Sequence, residues 1–431
     1  MRHLSGRLLA AAAVVPITVL ASAVPAQAQS DPLAAPAQAG ASWLVAQAEG
    51  PSWNGGDVSS SLDAVIALQA AGVGGDQVQT TLEWLNNTDT LTPYVMPTAV
   101  GTDTPTLNAG SAGKVMYVVA TAGGDPTNFG GIKLADEVKG AQADNGGYGD
   151  GTALSTAWAV LGLSRTDSPA GEKAAAGLAA VQCPDGGFSF GDIDGGDDCF
   201  SDPDSTGLVV SALATLSDDT ASTSLTKAVT WLESAQADDG GFDNGFGENA
   251  NSTAMAAQAF LAADRADAAE QAVAYLIELQ FGCTGAAPGA FMYTDPEDAE
   301  FGEQTRLLAT AQAIVPVAGQ NLADLDASGA AADVPGTGCE SAGAGEETSA
   351  AASDDEGSGS WQQWAIGAAV AVVVIAALIF VFTRKPRRGG DAGGAAAEDV
   401  PAADEPKDEA PETSAEDESG EATGDGSTDK Q

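Results

Sequence analysis

A pattern of paired apolar segments repeats along residues 38–325. Each pair has a first segment with apolar residues three and four positions apart, an acidic Gly-Gly turn followed by an aromatic residue, and a second segment rich in alanine. This apolar spacing is typical of one face of an α-helix, so each repeat predicts two helices. The pattern is clearest at residues 142–163, 182–213 and 236–262.

Six repeats of this pattern can be counted. The first segment of each ends in glutamine, or once in asparagine, at positions 47, 87, 142, 182, 236 and 280. A period of this length indicates stacked helix pairs, and six pairs close a ring. We therefore predict an all-α fold, an α6/α6 toroid over residues 29–325, in which the inner helices line a central funnel.

The turn between the two helices of a repeat carries its own signals. Glycine supplies the positive φ with which a chain leaves a helix, and the aromatic residue after it packs back onto the helix pair. A Ser-Thr pair then precedes the next apolar run, where a hydroxyl accepts the first free backbone N–H groups, so we predict that these pairs cap the inner helices. The pairs are Ser155-Thr156, Ser205-Thr206 and Ser252-Thr253. The second repeat departs from the pattern, with a long loop rich in proline and threonine.

The Gln-x-x-Asp-Gly-Gly-Phe pattern of these turns resembles the repeats of the squalene/hopene cyclase and protein prenyltransferase superfamily. The resemblance covers about two thirds of the chain and implies the same toroid. Related toroids occur in vitamin B12 carriers of the intrinsic factor and transcobalamin type, in complement thioester domains and in polysaccharide lyases. The loop GGDPTNFGG at residues 123–131 looks like the loops of bacterial relatives of the B12 carriers. The fold alone does not decide between these functions.

The two ends of the chain predict export and anchoring. Residues 1–28 have a basic start, an apolar run and the small-x-small sequence Ala-Gln-Ala, which together indicate a signal peptide cut after Ala28. Residues 365–383 are apolar, two tryptophans precede them and four basic residues follow, as in a transmembrane helix whose C-terminal side is cytoplasmic. We predict a disordered acidic linker at 326–364, a disordered cytoplasmic tail at 384–431 and a single-pass protein of the cell membrane.

Composition removes several function classes. Only 16 residues are basic against 61 acidic ones, a formal charge of −45, so the chain would repel nucleic acid. The single histidine, His3, lies in the predicted signal peptide. The mature protein would therefore lack a Ser-His-Asp triad and any histidine-based zinc site. The sequence names no cofactor.

The four cysteines all lie on the predicted exported side, where disulfides persist. Four cysteines allow three pairings, and we favour Cys183–Cys199, within the long loop of the fourth repeat, and Cys283–Cys339, which ties the linker to the last repeat. A metal site is the alternative, but neither a CxxC spacing nor a mature histidine supports it.

The sharpest catalytic candidate is the sequence Asp202-Pro203-Asp204-Ser205-Thr206. It resembles the Asp-x-Asp-Asp-Thr motif of class II terpene cyclases, and the resemblance makes Asp204 the acid that protonates an alkene, with Asp202 beside it. Serine stands here where the motif has its last aspartate. The alternative interpretation is structural: the Ser-Thr pair caps the helix and Asp204 favours its N-terminus, as the same pair recurs where no Asp-x-Asp precedes it.

Other residues are candidates for binding. The inner segments offer few aromatic residues for a cavity wall, namely Tyr117, Trp158 and Phe260, and this scarcity argues against cyclisation of a carbocation. Two acidic loops carry oxygen ligands for calcium, one with Asp192, Asp194 and Asp197 and the other at residues 238–249. Neither has the EF-hand spacing, and a solvated acidic turn is the alternative.

The sequence therefore favours a membrane-anchored surface protein that binds a small ligand in its funnel without catalysis. Asp204, Trp158, Tyr117 and Phe260 are the expected ligand-binding residues, a corrinoid such as cobalamin is the candidate ligand, and a membrane transporter is a candidate partner. The B12 carriers normally add a β-rich domain that caps the vitamin, and this chain has none. Two alternatives stay open: an enzyme that uses Asp204 as a protonating acid, and a cell-envelope scaffold that binds other proteins.

Overall fold

The computed structural model describes residues 34–98, 103–191, 196, 198–283, 285–296, 299–327, 329–337 and 339. The predicted signal peptide, membrane helix and tail lie outside these residues. None of the helices formed by the described residues is long and apolar enough to cross a membrane.

The described residues form thirteen α-helices, with isolated bridges in place of strands. The helices are α1 (Ala34–Ala46), α2 (Val58–Ala71), α3 (Gly75–Leu85), α4 (Thr88–Val95), α5 (Ala109–Thr121), α6 (Leu134–Gly140), α7 (Ala153–Ser164), α8 (Glu172–Ala180), α9 (Pro203–Leu213), α10 (Asp219–Ala235), α11 (Ala250–Ala262), α12 (Ala266–Glu278) and α13 (Ala299–Val317).

Six of these helices form a closed inner ring. In ring order they are α2, α5, α7, α9, α11 and α13, and α13 packs in turn against α2. The remaining helices pack around this ring. The all-α toroid is therefore confirmed from the helix contacts of the chain itself. The loop of the second repeat differs from the prediction, because part of it folds as the additional helix α4.

Small residues let neighbouring inner helices approach closely. A Cβ atom added to Gly113 of α5 would collide with the backbone of Trp158 in α7. In the same way, a Cβ atom on Gly207 of α9 would collide with the backbone of Met255 in α11. Gly110 of α5 likewise lies against Ser155 of α7. The N-terminal residues of one helix therefore lie against the N-terminal residues of the other, so these two helices run parallel.

The glutamines that end the outer helices connect consecutive repeats. The Nε2 group of Gln182 donates to the carbonyl of Gly186 at 2.7 Å, in its own turn, and to Ser224 at 2.9 Å, in the next outer helix α10. Gln236 makes the equivalent pair of bonds, to the carbonyl of Gly240 in its own turn and to that of Ala268 in α12. Gln280 donates to Gly289 at 2.9 Å and to Pro36 of α1 at 2.8 Å, and so joins the last repeat to the first.

The Ser-Thr pairs have a role that differs from the predicted cap. In the fourth repeat, Asp202 caps α9, and Thr206 Oγ1 accepts the backbone N–H of Phe188 at 2.9 Å. The same bond runs from Phe242 to Thr253 at 3.0 Å. The threonine lies one turn inside the helix and fixes the aromatic residue of the turn, which is why the pair recurs. The caps of the other two helices are Thr152 and Asn249.

Residues 321–327, 329–337 and 339, which we call the strap, close one end of the ring where α2, α5 and α7 end. Arg165, just after α7, donates to the carbonyls of three strap residues, Leu322, Ala323 and Leu325. The disulfide Cys283–Cys339 holds the end of the strap, and Cys183–Cys199 closes the loop before α9, so both predicted pairings are confirmed. Backbone bonds hold the strap to the end of α2 and the start of α3 up to residue 333, within the range predicted as linker.

Candidate functional site

Asp204 lies at the start of α9, where it faces α11. Its Oδ2 atom accepts a hydrogen bond from Ser252 Oγ at 2.9 Å, and the side chain of Asn244 is a further hydrogen-bond partner. Burial, with the nearby charge of Asp202, raises the pKa of Asp204 to about 6, although the bonds from Ser252 and Asn244 act in the opposite direction. This carboxyl group therefore keeps its proton at mildly acidic pH, where an exposed aspartate is already ionised.

Asp202 serves the local structure more directly. Its Oδ1 atom accepts the backbone N–H of Ser205 at 2.8 Å, and the backbone of Phe190 is a further partner. Burial raises its pKa, while these hydrogen bonds lower it. The residues of the motif therefore have different roles. Asp202 caps α9, Thr206 bonds the turn that precedes the helix, and Asp204 bonds the neighbouring inner helix α11.

The start of α11 connects this group to the last repeat. The backbone carbonyl of Tyr293 accepts the N–H of Ala250 at 2.8 Å, and the Tyr293 ring packs edge-on against Phe301, with ring centroids 5.4 Å apart. Burial raises the pKa of the Tyr293 hydroxyl, whereas a hydrogen bond with Asn244 lowers it. Asn244 therefore contacts both Asp204 and Tyr293.

Four exposed phenylalanines belong to the segments that carry or contact these polar groups. The backbone of Phe190 is a hydrogen-bond partner of Asp202, and Phe200 precedes Asp202 by two residues. Phe246 follows Asn244 by two residues, and Phe301 contacts Tyr293. Their exposed fractions are 62%, 69%, 90% and 46%, large values for apolar side chains. We call Asp202, Asp204, Asn244, Ser252 and Tyr293, with these four phenylalanines, the acidic mouth. Sequence reasoning missed the phenylalanines, although the position of Phe190, Phe200 and Phe246 in loops rich in carboxylates was a usable signal.

Buried polar atoms without a hydrogen-bond partner lie on the same inner helices. They are Ser205 Oγ of α9 and Asn251 Oδ1 and Gln258 Oε1 of α11. Asn251, Met255 and Gln258 are spaced four and three residues apart, so they share one face of α11. Each of these atoms has essentially no accessible surface, so it is an unsatisfied polar group of the core.

A second polar group lies on α2, α5 and α7. Lys114 Nζ is 2.7 Å from Asp63 Oδ1 and 5.5 Å from the ring centroid of Trp158. Burial lowers the pKa of Lys114, but the charges of Asp63 and Tyr94 raise it further, and the net shift is upward. This lysine therefore stays protonated and paired, which makes it unsuited to act as a nucleophile.

The three aromatic residues predicted to bind a ligand differ in accessibility. Trp158 is half-buried, but Tyr117 and Phe260 are fully buried. The ring centroids of Tyr117 and Trp158 are 6.0 Å apart, and the Arg165 guanidinium carbon lies 5.0 Å from the Tyr117 centroid. Burial raises the pKa of the Tyr117 hydroxyl. Phe260 packs against Phe242 at 6.0 Å. The structure places both in the packed core, and the pattern of the sequence did not distinguish core from cavity wall.

Of the two loops predicted to bind calcium, only the second, at residues 238–249, lies within the described residues. Asp192, Asp194 and Asp197 lie outside the described residues. In the second loop, the Asp243 carboxylate accepts the N–H groups of Gly245 and Gly247. Nowhere in the described part of the chain do three or more histidine, cysteine, aspartate or glutamate residues form a group placed to hold a metal ion.

Comparisons with known proteins add structural neighbours. No protein-family model matches the chain, and the search of curated proteins found no match. A protein from Actinoplanes is 17% identical, with 67% of this chain and 100% of that chain aligned and a TM-score of 0.46. A type II terpene cyclase variant from Scytonema, in complex with its substrate geranylgeranyl dihydroxybenzoate, is 14% identical (67% and 96% aligned, TM-score 0.46). An unsaturated glucuronyl hydrolase from a Bacillus species, responsible for glycosaminoglycan degradation, is 11% identical (66% and 95% aligned, TM-score 0.46).

Proposed function

We propose that this protein binds a ligand without catalysis, at the acidic mouth of its toroid. The observation that carries the proposal is the combination of a buried carboxyl group, Asp204, with four exposed phenylalanines, three on loops and Phe301 in α13. A surface of this composition suits a ligand with a broad apolar face and hydrogen-bond donors at its edge. A corrinoid, whose apolar ring system carries peripheral amide groups, is the first candidate.

The test is an absorbance titration of the purified full-length protein with a corrinoid. We expect saturable binding that weakens about tenfold in the Asp204→Asn variant, through loss of a charge-assisted hydrogen bond. Asp267→Asn is the matched control, since Asp267 occupies the same second position of a helix, α12, but is exposed. The absence of saturable binding would overturn the corrinoid, and equal binding by both variants would overturn the role of the mouth.

An enzyme is the second candidate, and the raised pKa of Asp204 is the observation that favours it. A buried carboxyl group with a pKa of about 6 is protonated often enough to donate its proton to an alkene. Incubation with a polyprenyl substrate, followed by chromatography, would then give a cyclised product that Asp204→Asn fails to form. Product formation by that variant would remove Asp204 as the acid.

A protein-binding scaffold is the third candidate, and the phenylalanines of the mouth favour it. Phe246 is 90% exposed on a loop tip, which is typical of an anchor that fills a pocket on a partner. Replacement of Phe246 by serine should then abolish retention of the protein in an envelope complex measured by native electrophoresis, while leaving the melting temperature unchanged.

We further propose that the toroid is exported and anchored by residues 365–383, so that it meets its ligand outside the membrane and passes it to a transporter. The two disulfides support this location, because disulfides persist in oxidising compartments. Fractionation of cells should place the full chain in the membrane, with the toroid sensitive to external protease. Recovery in the cytosol with four free thiols would contradict the proposal.

A further inference from the structure

The strap has a base, residues 321–325, and an end, which comprises its described residues from 329 onward. In the base, the side chains of Leu322 and Leu325 are only 3% and 1% exposed, and Arg165 donates to the carbonyls of both residues. Buried apolar side chains and hydrogen bonds from a charged donor hold a segment firmly. The base of the strap therefore belongs to the packed toroid.

The end of the strap is held more weakly. Ala331 and Ala332 are exposed, and their carbonyls accept the backbone N–H groups of Gly75 at 2.9 Å and Asp76 at 3.0 Å. Val334 packs against the core but is only partly buried. Exposed hydrogen bonds contribute little net stability, and a segment with few buried apolar side chains opens at a low cost in free energy.

The end of the strap forms one side of a half-open cavity of about 240 Å³. Ala330 and Ala332 line this cavity from the strap, while Gln69, Ala122 and Val78 line it from the ends of α2 and α5 and from α3. Movement of the strap end away from the ring would uncover this wall. Opening of the strap therefore changes access to this end of the toroid.

The disulfide Cys283–Cys339 limits how far the strap end can move. Cys283 lies in the turn after α12, 56 residues before Cys339 in the chain. With the disulfide intact, the segment that follows Leu325 is fixed at both of its ends and can open only as a closed loop. Without the disulfide, the segment is fixed at Leu325 alone, and the entropy that it gains on release favours the open form.

This disulfide is also the more accessible of the two. Cys199 and Cys339 are both partly exposed, but Cys283 is exposed whereas Cys183 is only 3% exposed. Reduction requires direct attack of a thiolate on one of the two sulfur atoms. A reductant therefore reaches Cys283–Cys339 more readily than Cys183–Cys199.

We propose that Cys283–Cys339 is a redox latch that a dithiol opens. One thiolate of the dithiol attacks a sulfur atom of the latch to form a mixed disulfide, and its second thiol then displaces the protein thiol. The dithiol leaves as a disulfide, and the protein, which has received two electrons and two protons, keeps two free thiols. The end of the strap then leaves the ring and uncovers the cavity wall. In an oxidising compartment the latch stays closed until such a dithiol reaches it.

The test is stepwise reduction of the purified full-length protein with dithiothreitol, a dithiol, under native conditions. Free thiols are labelled with iodoacetamide and located by peptide mass spectrometry, and hydrogen exchange is measured in peptides that cover residues 72–79 and 329–337. We expect Cys283 and Cys339 to be labelled at least tenfold faster than the other two cysteines. Once they are reduced, exchange in both peptides should rise at least tenfold, while exchange in α9 stays unchanged. Reduction of both disulfides at one rate, or unchanged exchange after reduction of the latch, would overturn the proposal.

Serine variants separate the latch from the other disulfide. The double variant Cys283→Ser with Cys339→Ser should show the fast exchange without any dithiol, and dithiothreitol should not raise it further. The matched control, Cys183→Ser with Cys199→Ser, should keep slow exchange in the strap until dithiothreitol is added. Slow exchange in the first variant would contradict the latch. If either variant does not fold, the reduction series on the unaltered protein still decides.

The latch does not rest on the function proposed for the acidic mouth, because the two share no residue. Asp204→Asn should therefore leave both the rate of reduction and the exchange of the strap unchanged. Failure of ligand binding at the mouth and failure of the latch are thus distinguishable.

Discussion

Two halves of the inner ring handle buried charge in opposite ways. On α2 and α5, the ammonium group of Lys114 is paired with the carboxylate of Asp63 at 2.7 Å. On α9 and α11, the carboxyl group of Asp204 is held by neutral groups, the Ser252 hydroxyl and the Asn244 side chain. A paired buried charge is neutralised by its partner and becomes costly only when that partner is removed, whereas a carboxyl group held by neutral donors keeps an affinity for a cation or a proton. The repeated scaffold is shared, and the charges distinguish the two halves.

The largest expected effect comes from breaking the pair. Lys114→Met leaves Asp63 without its partner in a largely buried position, and we expect a loss of about 3 kcal/mol in the free energy of unfolding. Denaturant titration followed by circular dichroism measures this loss. The double variant Lys114→Met with Asp63→Leu should recover most of it, because the unpaired charge is gone. A double variant as unstable as the single one would mean that the pair matters for packing, not for charge.

The opposite effect on stability is expected when the charge of Asp204 is removed. Folding raises the pKa of this group from 3.8 to about 6, so the folded state binds more protons and the wild-type protein loses stability as pH rises through that window. Asparagine does not titrate, so Asp204→Asn removes this pH-dependent loss. Relative to wild type, we expect the variant to gain on the order of 2 kcal/mol more stability at pH 7 than at pH 4. Thermal unfolding at both pH values tests this, and Asp267→Asn should show no such difference. Equal effects of Asp204→Asn on stability at pH 4 and pH 7 would contradict the raised pKa of Asp204.

The smallest effects should be equal in the two halves. Thr156 and Thr206 each accept the backbone N–H of a turn aromatic, Tyr148 at 3.1 Å and Phe188 at 2.9 Å. Replacement of either threonine by valine leaves a buried N–H without an acceptor, and we expect a loss of about 1 to 2 kcal/mol in each case. Urea midpoints of the two variants provide the comparison. Clearly different losses of unfolding free energy in the two variants would show that the repeats are not equivalent.

The sequence predicted the features that repeat. The helix pairs and the ring follow from the periodic apolar residues and the glutamine-glycine turns. The two disulfides do not repeat, but the position of the four cysteines in the long loop and the linker predicted them. The role of Thr206 was missed because its partner, the N–H of Phe188, lies eighteen residues earlier. Only the folded turn brings the two together.

The features that do not repeat were largely missed. The strap is held by backbone bonds such as Ala331 N–H to the Gly72 carbonyl at 2.9 Å, and backbone groups leave no signature in residue types. Asp204 was identified from its motif, but its partner Ser252 lies in another repeat. Lys114 was overlooked, although a single charge within an apolar inner helix was a signal of a buried pair. Sequence patterns thus predict contacts within a repeat better than contacts between repeats.

The bond from Gln280 to Pro36 has a consequence for how the protein unfolds. An open solenoid has terminal repeats with one neighbour each, and these repeats fray first. Here the last outer helix is bonded to the first, so every repeat has a neighbour on both sides and none is terminal. A circularly permuted chain, opened between any two repeats, would keep the same set of helix neighbours. Unfolding of the ring should accordingly be a single cooperative event with no preferred starting end.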